Sequence, residues 1–315
     1  MALHRFLLII TAAIVILLLI AAWFLPSNVD FRTDNPLWNG TKEIETRYPA
    51  MPLASLSDLP TPPQGSTLIL IPYLNFTPME LEEINSFVAR GGTLILADDY
   101  GCGNQVLEHL GFKARFSGQS LLDPLSKYKN KWLPKIPHIN PSPVTAGTES
   151  LVFNHATCLI NVEHSDNILA QSSRFSFLDQ NDNQAQDGDE PIGPLPVISH
   201  HTLGSGQVIL ITDPSLFINS MEEIADNDKL RQNIAAITTA NLYIDQSHLP
   251  PSSFHRTKNL LAHTLDSLTT LPGTLGVVLV ALTVTLIPIW RKPSSKPLEK
   301  GDDNDRKAGK ETGNS

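Results

Sequence analysis

The segment Thr67 to Tyr73 reads Thr-Leu-Ile-Leu-Ile-Pro-Tyr, and a second apolar run, Thr93 to Ala97, follows it after one helical stretch. A strand with no polar alternation must be buried on both faces, which an antiparallel sheet open to water cannot provide. Between the two runs, Thr77-Pro78-Met79-Glu80 supplies an N-cap, a proline at the first helical position and a glutamate that reaches back to the cap. Leu81, Ile84 and Val88 then recur at helical spacing, and Gly91-Gly92 provides the left-handed stop. Strand, helix and strand within about 30 residues require parallel pairing and a right-handed crossover. The chain is therefore expected to be α/β with a mainly parallel sheet.

Further elements follow from the same signals. A helix is expected over Lys42 to Tyr48, another over Asn104 to Leu110, and short strands over Phe112 to Phe116 and Ala156 to Val162. Pro196 to His201 and Gln207 to Thr212 flank Leu203-Gly204-Ser205-Gly206, two apolar runs around a glycine turn, which predicts a hairpin. Leu230, Ile234, Ile237 and Leu242 share one helical face, so Asp228 to Tyr243 reads as the last long helix of the domain.

Two apolar stretches free of Asp, Glu, Lys and Arg lie at residues 6–25 and 271–290. At 1.5 Å rise per residue, about 20 residues match a hydrocarbon core of about 30 Å, so each is expected to be a transmembrane helix. A cleavable signal peptide is the rival for the first, although Trp23-Phe24-Leu25-Pro26 lacks the small residues of a cleavage site. A buried core helix is the rival for the second, which Pro272, Gly273, Gly276 and Pro288 interrupt. Arg5 precedes the first span, and Arg291, Lys292, Lys296 and Lys300 follow the second. Basic flanks favour the cytoplasm, which predicts a double-pass protein of the plasma (inner) membrane with residues 1–5 and a disordered tail, 291–315, inside. Residues 26–265 would form one extracytoplasmic domain.

The net charge of −9 falls mostly on that domain and excludes nucleic acid, whose phosphates require clustered Lys and Arg. Two cysteines, Cys102 and Cys158, are expected as buried free thiols. The runs from Gly91 to Gly101 and from Gly206 to Ser215 resemble a family of membrane-anchored proteins of unknown function. Its domain is similar to class I glutamine amidotransferases and to gliding-motility and intraflagellar-transport proteins. The resemblance covers roughly Asp30 to Tyr243, including Trp38-Asn39-Gly40-Thr41 and Asn219 to Asn227. It implies a flavodoxin-like three-layer sandwich, no established reaction, and partners among membrane proteins, including a MoxR-type AAA ATPase system.

Three sets of residues could carry chemistry. Asp98, Asp99 and Asp213 each follow an expected strand, where open α/β sheets bind ligands, though such residues also cap helices. Gly101-Cys102-Gly103 follows a strand and opens a helix, the setting that exposes a nucleophile and lowers a thiol pKa. No His-x-Glu pair stands late in the domain to serve as its base, and His248, His255 and Glu163-His164 do not fit that role. Third, residues 179–190 place Asp179, Asn181, Asn183, Asp187 and Glu190 at positions one, three, five, nine and twelve of a possible calcium loop. Gln184 occupies the position where glycine is usual, and the flanks read as strands, so a solvated acidic loop is the alternative. His200 and His201 are expected on opposite faces of a strand. Asn39 and Asn75 head glycosylation sequons. These readings favour a non-enzymatic extracytoplasmic binding or scaffold module in a membrane assembly. The alternatives are a Cys102-dependent hydrolase or amidotransferase and a calcium-dependent sensor or adhesion module.

Overall fold

A computed structural model of the chain describes residues 2–163, 167–250 and 253–290. His164, the basic residues Arg291, Lys292, Lys296 and Lys300, and the expected disordered tail lie outside the described residues. Among those described, eight strands form the main sheet: β1 (Met51–Leu53), β2 (Thr67–Leu70), β3 (Thr93–Ala97), β4 (His138–Ile139), β5 (Ile168–Gln171), β6 (Pro196–Leu203), β7 (Gly206–Ile211) and β8 (Leu242–Asp245). Their spatial order is β1-β8-β2-β3-β7-β6-β5-β4. Pairing is parallel from β1 through β7 and antiparallel from β7 through β6 and β5 to β4. The fold is mixed α/β around a mainly parallel central sheet. Helices are α1 (Ala2–Phe24), α2 (Lys42–Arg47), α3 (Pro78–Ala89), α4 (Asn104–His109), α5 (Asn227–Ile237), α6 (Ser253–Thr269) and α7 (Leu271–Trp290).

The period of two along each buried strand sorts its residues between two cores. Leu68, Leu70, Leu94, Leu96, Val208 and Leu210 pack with Ile84, Phe87 and Val88 of α3 and with Val106 and Leu107 of α4. Ile69, Ile71, Ile95, Ala97, Ile209 and Ile211 pack with Leu230 and Ile234 of α5 and Ile44 of α2. Each fully buried aliphatic side chain contributes about 1.5–3 kcal/mol, so both faces of the sheet need their helical cover.

Local signals set the crossover. Thr77 Oγ1 accepts from Glu80 N at 3.3 Å, and Glu80 Oε2 accepts from Thr77 N at 2.8 Å, a reciprocal capping box with Pro78 behind it. Gly91 takes φ +108° at the other end of α3, and a Cβ on Gly92 would lie 2.5 Å from the Phe87 ring. Both glycines are therefore required, one by conformation and one by space.

The expected helix over 228–243 is two elements. Helix α5 ends at Ile237, Thr238 turns extended (φ −83°, ψ 107°), and Leu242–Asp245 becomes β8 between β1 and β2. Thr239 N and Ala240 N both donate to Gly65 O at 2.9 Å, which pins the break. A short apolar run such as Leu-Tyr-Ile fits helix and strand patterns alike, and the vacant parallel slot beside β2 decides between them.

The chain divides into two units, residues 1–258 and 259–315. The first holds the sheet and α1, while α7 lies in the second. Helices α1 and α7 cover the two apolar stretches. Over the described residues, however, no helix is long and apolar enough to cross a membrane. The transmembrane helices expected at 6–25 and 271–290 are thus not met among the described residues.

Candidate functional site

Parallel strands deliver the residues that follow their carboxyl ends to one edge of the sheet. Here β2 leads to Tyr73, β3 to Asp98, Asp99 and Tyr100, and β7 to Asp213 and Ser215. Loops carrying Asp30, Phe31, Trp38 and His155 complete a crevice of about 180 Å³. Of the larger depressions, those of about 530 Å³ over the 139–148 loop and about 300 Å³ beside α3 do not lie at the carboxyl ends of the parallel strands, while one of about 260 Å³ shares Asp30, Phe31 and Tyr73 with the crevice.

Aromatic rings dominate the walls. The ring centroids of Phe31 and Tyr73 are 5.6 Å apart, Tyr73 meets Tyr100 edge-on at 5.9 Å, and His155 stacks on Trp132 at 5.1 Å. Trp38 and Tyr100 keep 67% and 68% of their surface exposed, so their rings are open to a partner. Two crevice residues hold left-handed backbone, Phe31 at φ 60° and His155 at φ 58°. Such conformations persist only when neighbours over-determine them, and they concentrate at functional sites. Phe31 is fixed in this way: its N–H donates to Asn39 O at 2.9 Å and its carbonyl accepts from Thr41 Oγ1 at 2.9 Å.

The carboxyls beneath are held in a poorly hydrated setting. Burial, and then repulsion from Asp98, push Asp99 up to about 7. Asp213 has no exposed surface; burial pushes it up to about 8, against the N–H bonds it accepts from Asn154 at 2.7 Å and Ser215 at 2.8 Å. Asp98 is raised by burial although three amides, those of Tyr100, Gly101 and Gly103, donate to it at 3.0, 3.1 and 2.7 Å. The Tyr73 hydroxyl is raised by burial and by the nearby Asp99, and Tyr100 is raised chiefly by Asp99. Of the three expected ligand-binding carboxylates, Asp99 alone lines the crevice. Asp98 and Asp213 act as backbone caps, Asp213 opening the 3₁₀ turn Pro214–Phe217.

Cys102 is half-buried, and its thiol is raised rather than lowered, by burial first and then by Asp98 and Asp99. The expected depression fails because Cys102 precedes a helix of only 6 residues and lies near the carboxyls of Asp98 and Asp99. Cys158 is buried and pushed up to about 11, and both cysteines are free. A carboxylate-oriented histidine does exist, contrary to the expectation from spacing. His248 Nδ1 lies 3.0 Å from Asp245 Oδ2, its Nε2 lies 3.7 Å from Glu80 Oε1, and its ring stacks on Phe76 at 4.1 Å. These partners tie it to β8 and α3.

His201 is buried, with Nε2 2.9 Å from Ser199 Oγ, while the half-buried His200 pairs with Gln207. Asn39 is 9% exposed and bonds Asp30, Asn28 and Asn35, which removes it as a glycosylation acceptor; Asn75 is exposed. Residues 179–190 form a curled loop beyond the short strand Phe177–Asp179, which pairs with Ser120–Leu122. Within it Glu190 accepts from Gln180 N at 2.8 Å and Asp187 N at 3.0 Å, and Asp187 Oδ2 accepts from the amides of Asn181 and Asn183, each at 2.7 Å. Among the described residues, no group of three acidic, His or Cys side chains is placed to hold a metal ion.

Sequence reasoning missed the aromatic wall. Tyr73 and Tyr100 follow strands just as the aspartates do, so the strand-end rule that selected Asp99 would have found them. His155 carried no such signal, because Asn154 N bonding to Asp213 fixes its loop.

The chain is similar to the mmIFT52 N-terminal domain, with 14% identity, a TM-score of 0.42, 56% of this chain covered and 78% of that one. It is also similar to a beta-galactosidase from Bacillus circulans sp. alkalophilus (15% identity, TM-score 0.34, 55% of this chain and 22% of that one). A third likeness is to the Cytoplasmic Protein STM3548 from Salmonella typhimurium (13%, 0.32, 59% and 75%). At this level likeness identifies neither substrate nor partner. No curated protein matches the sequence. A family profile matches residues 34–235, more than half of the chain, and the protein belongs to that family, described as Domain of unknown function (DUF4350).

Proposed function

We propose that this protein is a non-enzymatic binding module, anchored in the plasma membrane through residues 6–25 and 271–290, whose central domain takes a cationic group in the strand-end crevice. The observation that carries the reading is the crevice itself, where the open rings of Trp38 and Tyr100 stand beside the carboxyls of Asp30 and Asp99. Ring faces attract ammonium and guanidinium groups, and a carboxylate partner strengthens that attraction where water is scarce. The cation would be a lysine, arginine or quaternary amine of a co-anchored membrane protein, brought within reach by the shared bilayer. Partners of a MoxR-type AAA ATPase system are the assembly that the family resemblance favours. The finer architecture is read as a flavodoxin-like three-layer sandwich, supported by the separate cores on the two faces of the sheet.

A hydrolase using Cys102 is the competing reading, and the raised thiol disfavours it. Co-purification from detergent-solubilised membranes separates the two. Wild type and Cys102→Ser should retain the same membrane partners, while Trp38→Ala and Asp99→Asn lose them. Capture should also strengthen as pH rises through about 7, the value at which Asp99 ionises. Equal capture by all four proteins, or loss confined to Cys102→Ser, refutes the proposal. Protease treatment of spheroplasts tests the placement, since a central domain left uncut would be cytoplasmic.

A further inference from the structure

We propose that the lysine-rich hairpin at residues 123–135 docks on anionic lipid headgroups and so turns the crevice towards the bilayer. This rests on the anchoring through residues 6–25 proposed above. In a chain of net charge −9, residues 127–135 read Lys-Tyr-Lys-Asn-Lys-Trp-Leu-Pro-Lys, four lysines with no acidic residue among them. The backbone closes on itself: Tyr128 N donates to Leu133 O and Lys135 N to Ser126 O, each at 2.9 Å. Lys127, Lys129 and Lys135 are exposed, and among the described residues none of the three has a carboxylate within ion-pair distance. Lys131 turns aside and donates to Gln184 O at 2.7 Å, in the loop whose acids Asp179, Asp187 and Glu190 accept from donors of their own loop. Asp123, at the start of the hairpin, is buried and accepts from Leu125 N, Ser126 N and Ser173 Oγ. Three positive charges are therefore left facing outwards.

Apolar groups share the patch. Leu125 and Tyr128 are 67% and 44% exposed, and Lys129 Nζ lies 5.2 Å from the centroid of the Tyr128 ring. Lysines that keep their charge at headgroup level, beside an aliphatic and an aromatic side chain that can enter the interface, suit a membrane surface. An acidic protein segment would match the lysines but leave Leu125 without a role.

The place of the hairpin in the fold supplies the occupant. Ser27 is 1% exposed, so the chain is seated in the domain two residues after Leu25, where the apolar stretch ends. Asp30 and Phe31 follow at once and line both the crevice and the adjoining depression that holds Asn28 and Val29. Five residues, even fully extended, reach about 18 Å, which keeps Asp30 within that distance of the end of the span. His155 of the same crevice stacks on Trp132 at 5.1 Å, and its N–H donates to Trp132 O at 2.9 Å. The exit of the anchor and the basic hairpin thus border one crevice, on the side of the domain nearest the membrane.

The test places the full-length protein in nanodiscs of phosphatidylcholine, alone or with about one third phosphatidylglycerol, and reads lysine acylation by mass spectrometry. Each lysine at an anionic surface favours the docked state about fivefold. Relative to the exposed Lys113 beyond α4, the reactivity of Lys127, Lys129 and Lys135 should fall about fivefold or more with phosphatidylglycerol. It should recover in about 1 M salt, where the Debye length is about 3 Å. Lys127→Glu combined with Lys129→Glu, both at exposed positions, should leave Lys135 equally reactive in the two lipids. Reactivity that ignores phosphatidylglycerol, in discs that carry the protein, overturns the docking and leaves the anchoring standing. Protein that does not enter the discs overturns both. Protection found only in native membrane vesicles would assign the hairpin to an acidic partner protein and overturn the lipid reading.

Discussion

Replacing Asp213 by Asn should stabilise the protein at neutral pH and destabilise it in acid, although Asp213 is fully buried and hydrogen-bonded. The folded carboxyl titrates at about 8, whereas an unfolded aspartate titrates at about 3.9. A raised folded pKa means that the acid's contribution is complete below the unfolded value and is lost as pH climbs to the folded one. Between these limits the loss is about 1.4 kcal/mol per pH unit. Asparagine does not titrate, but it offers one oxygen where Asn154 N and Ser215 N find two, and leaving one donor facing an amide costs about 1–3 kcal/mol. Near pH 4.5 the wild type should therefore be the more stable. Between pH 5 and 7 the balance should move by about 2.7 kcal/mol towards Asp213→Asn, the sign changing somewhere from about pH 4.6 to about 6.1 for that range of cost. Urea denaturation of both full-length proteins at half-unit pH steps, followed by tryptophan fluorescence, measures the difference, in which the shared titrations cancel. A difference that stays constant from pH 5 to 7 would mean that the two amides hold Asp213 as an anion, and the burial argument would fail.

Two further substitutions probe the crossover that places Asp99. Thr77→Ala removes one half of the capping box on α3 and should lower unfolding stability by about 1 kcal/mol, read from the same urea curves. Gly206→Ala would set a Cβ 2.1 Å from Val88 O and 2.3 Å from Gly92 O, so β7 must shift away from α3. A loss of about 1–3 kcal/mol is expected, and an unchanged unfolding midpoint would show that the hairpin start is loose.

The central βαβ unit was legible because each of its signals is local: Thr77 and Glu80 form the cap, Gly91 the turn, and the unbroken apolar runs β2 and β3. The hairpin of β6 and β7 was legible for the same reason. What failed depended on distant partners. Strand β8 looked helical until Gly65 O, far away in sequence, captured the amides of Thr239 and Ala240. β1, only three residues long, has no pattern of its own and exists because β8 lies alongside it. At the site, the strand-end rule named Asp98, Asp99 and Asp213 and left ligand binding and capping open for each; only the fold shows that Asp98 and Asp213 cap backbone amides while Asp99 lines the crevice.

That last fact bears on what the crevice can accept. A thiol at a strand-to-helix turn becomes useful when nearby backbone N–H groups are free to receive a developing oxyanion. In this chain the amides of Tyr100, Gly101 and Gly103 donate to Asp98, and those of Asn154 and Ser215 donate to Asp213. The side chains that shape the turn therefore consume the donors an acyl-transfer site would need, and the same carboxyls raise the Cys102 thiol. Against these committed amides, the crevice presents oxygens of Asp30 and Asp99 and the faces of aromatic rings. Such a lining repels anions and carbonyl-centred transition states and attracts positive charge. One set of hydrogen bonds thus argues against Cys102 catalysis and for a cationic partner, so Asp98→Asn should loosen both features together. If that variant gained thiol reactivity towards iodoacetamide yet kept full partner capture, the two properties would be independent and the link between them wrong.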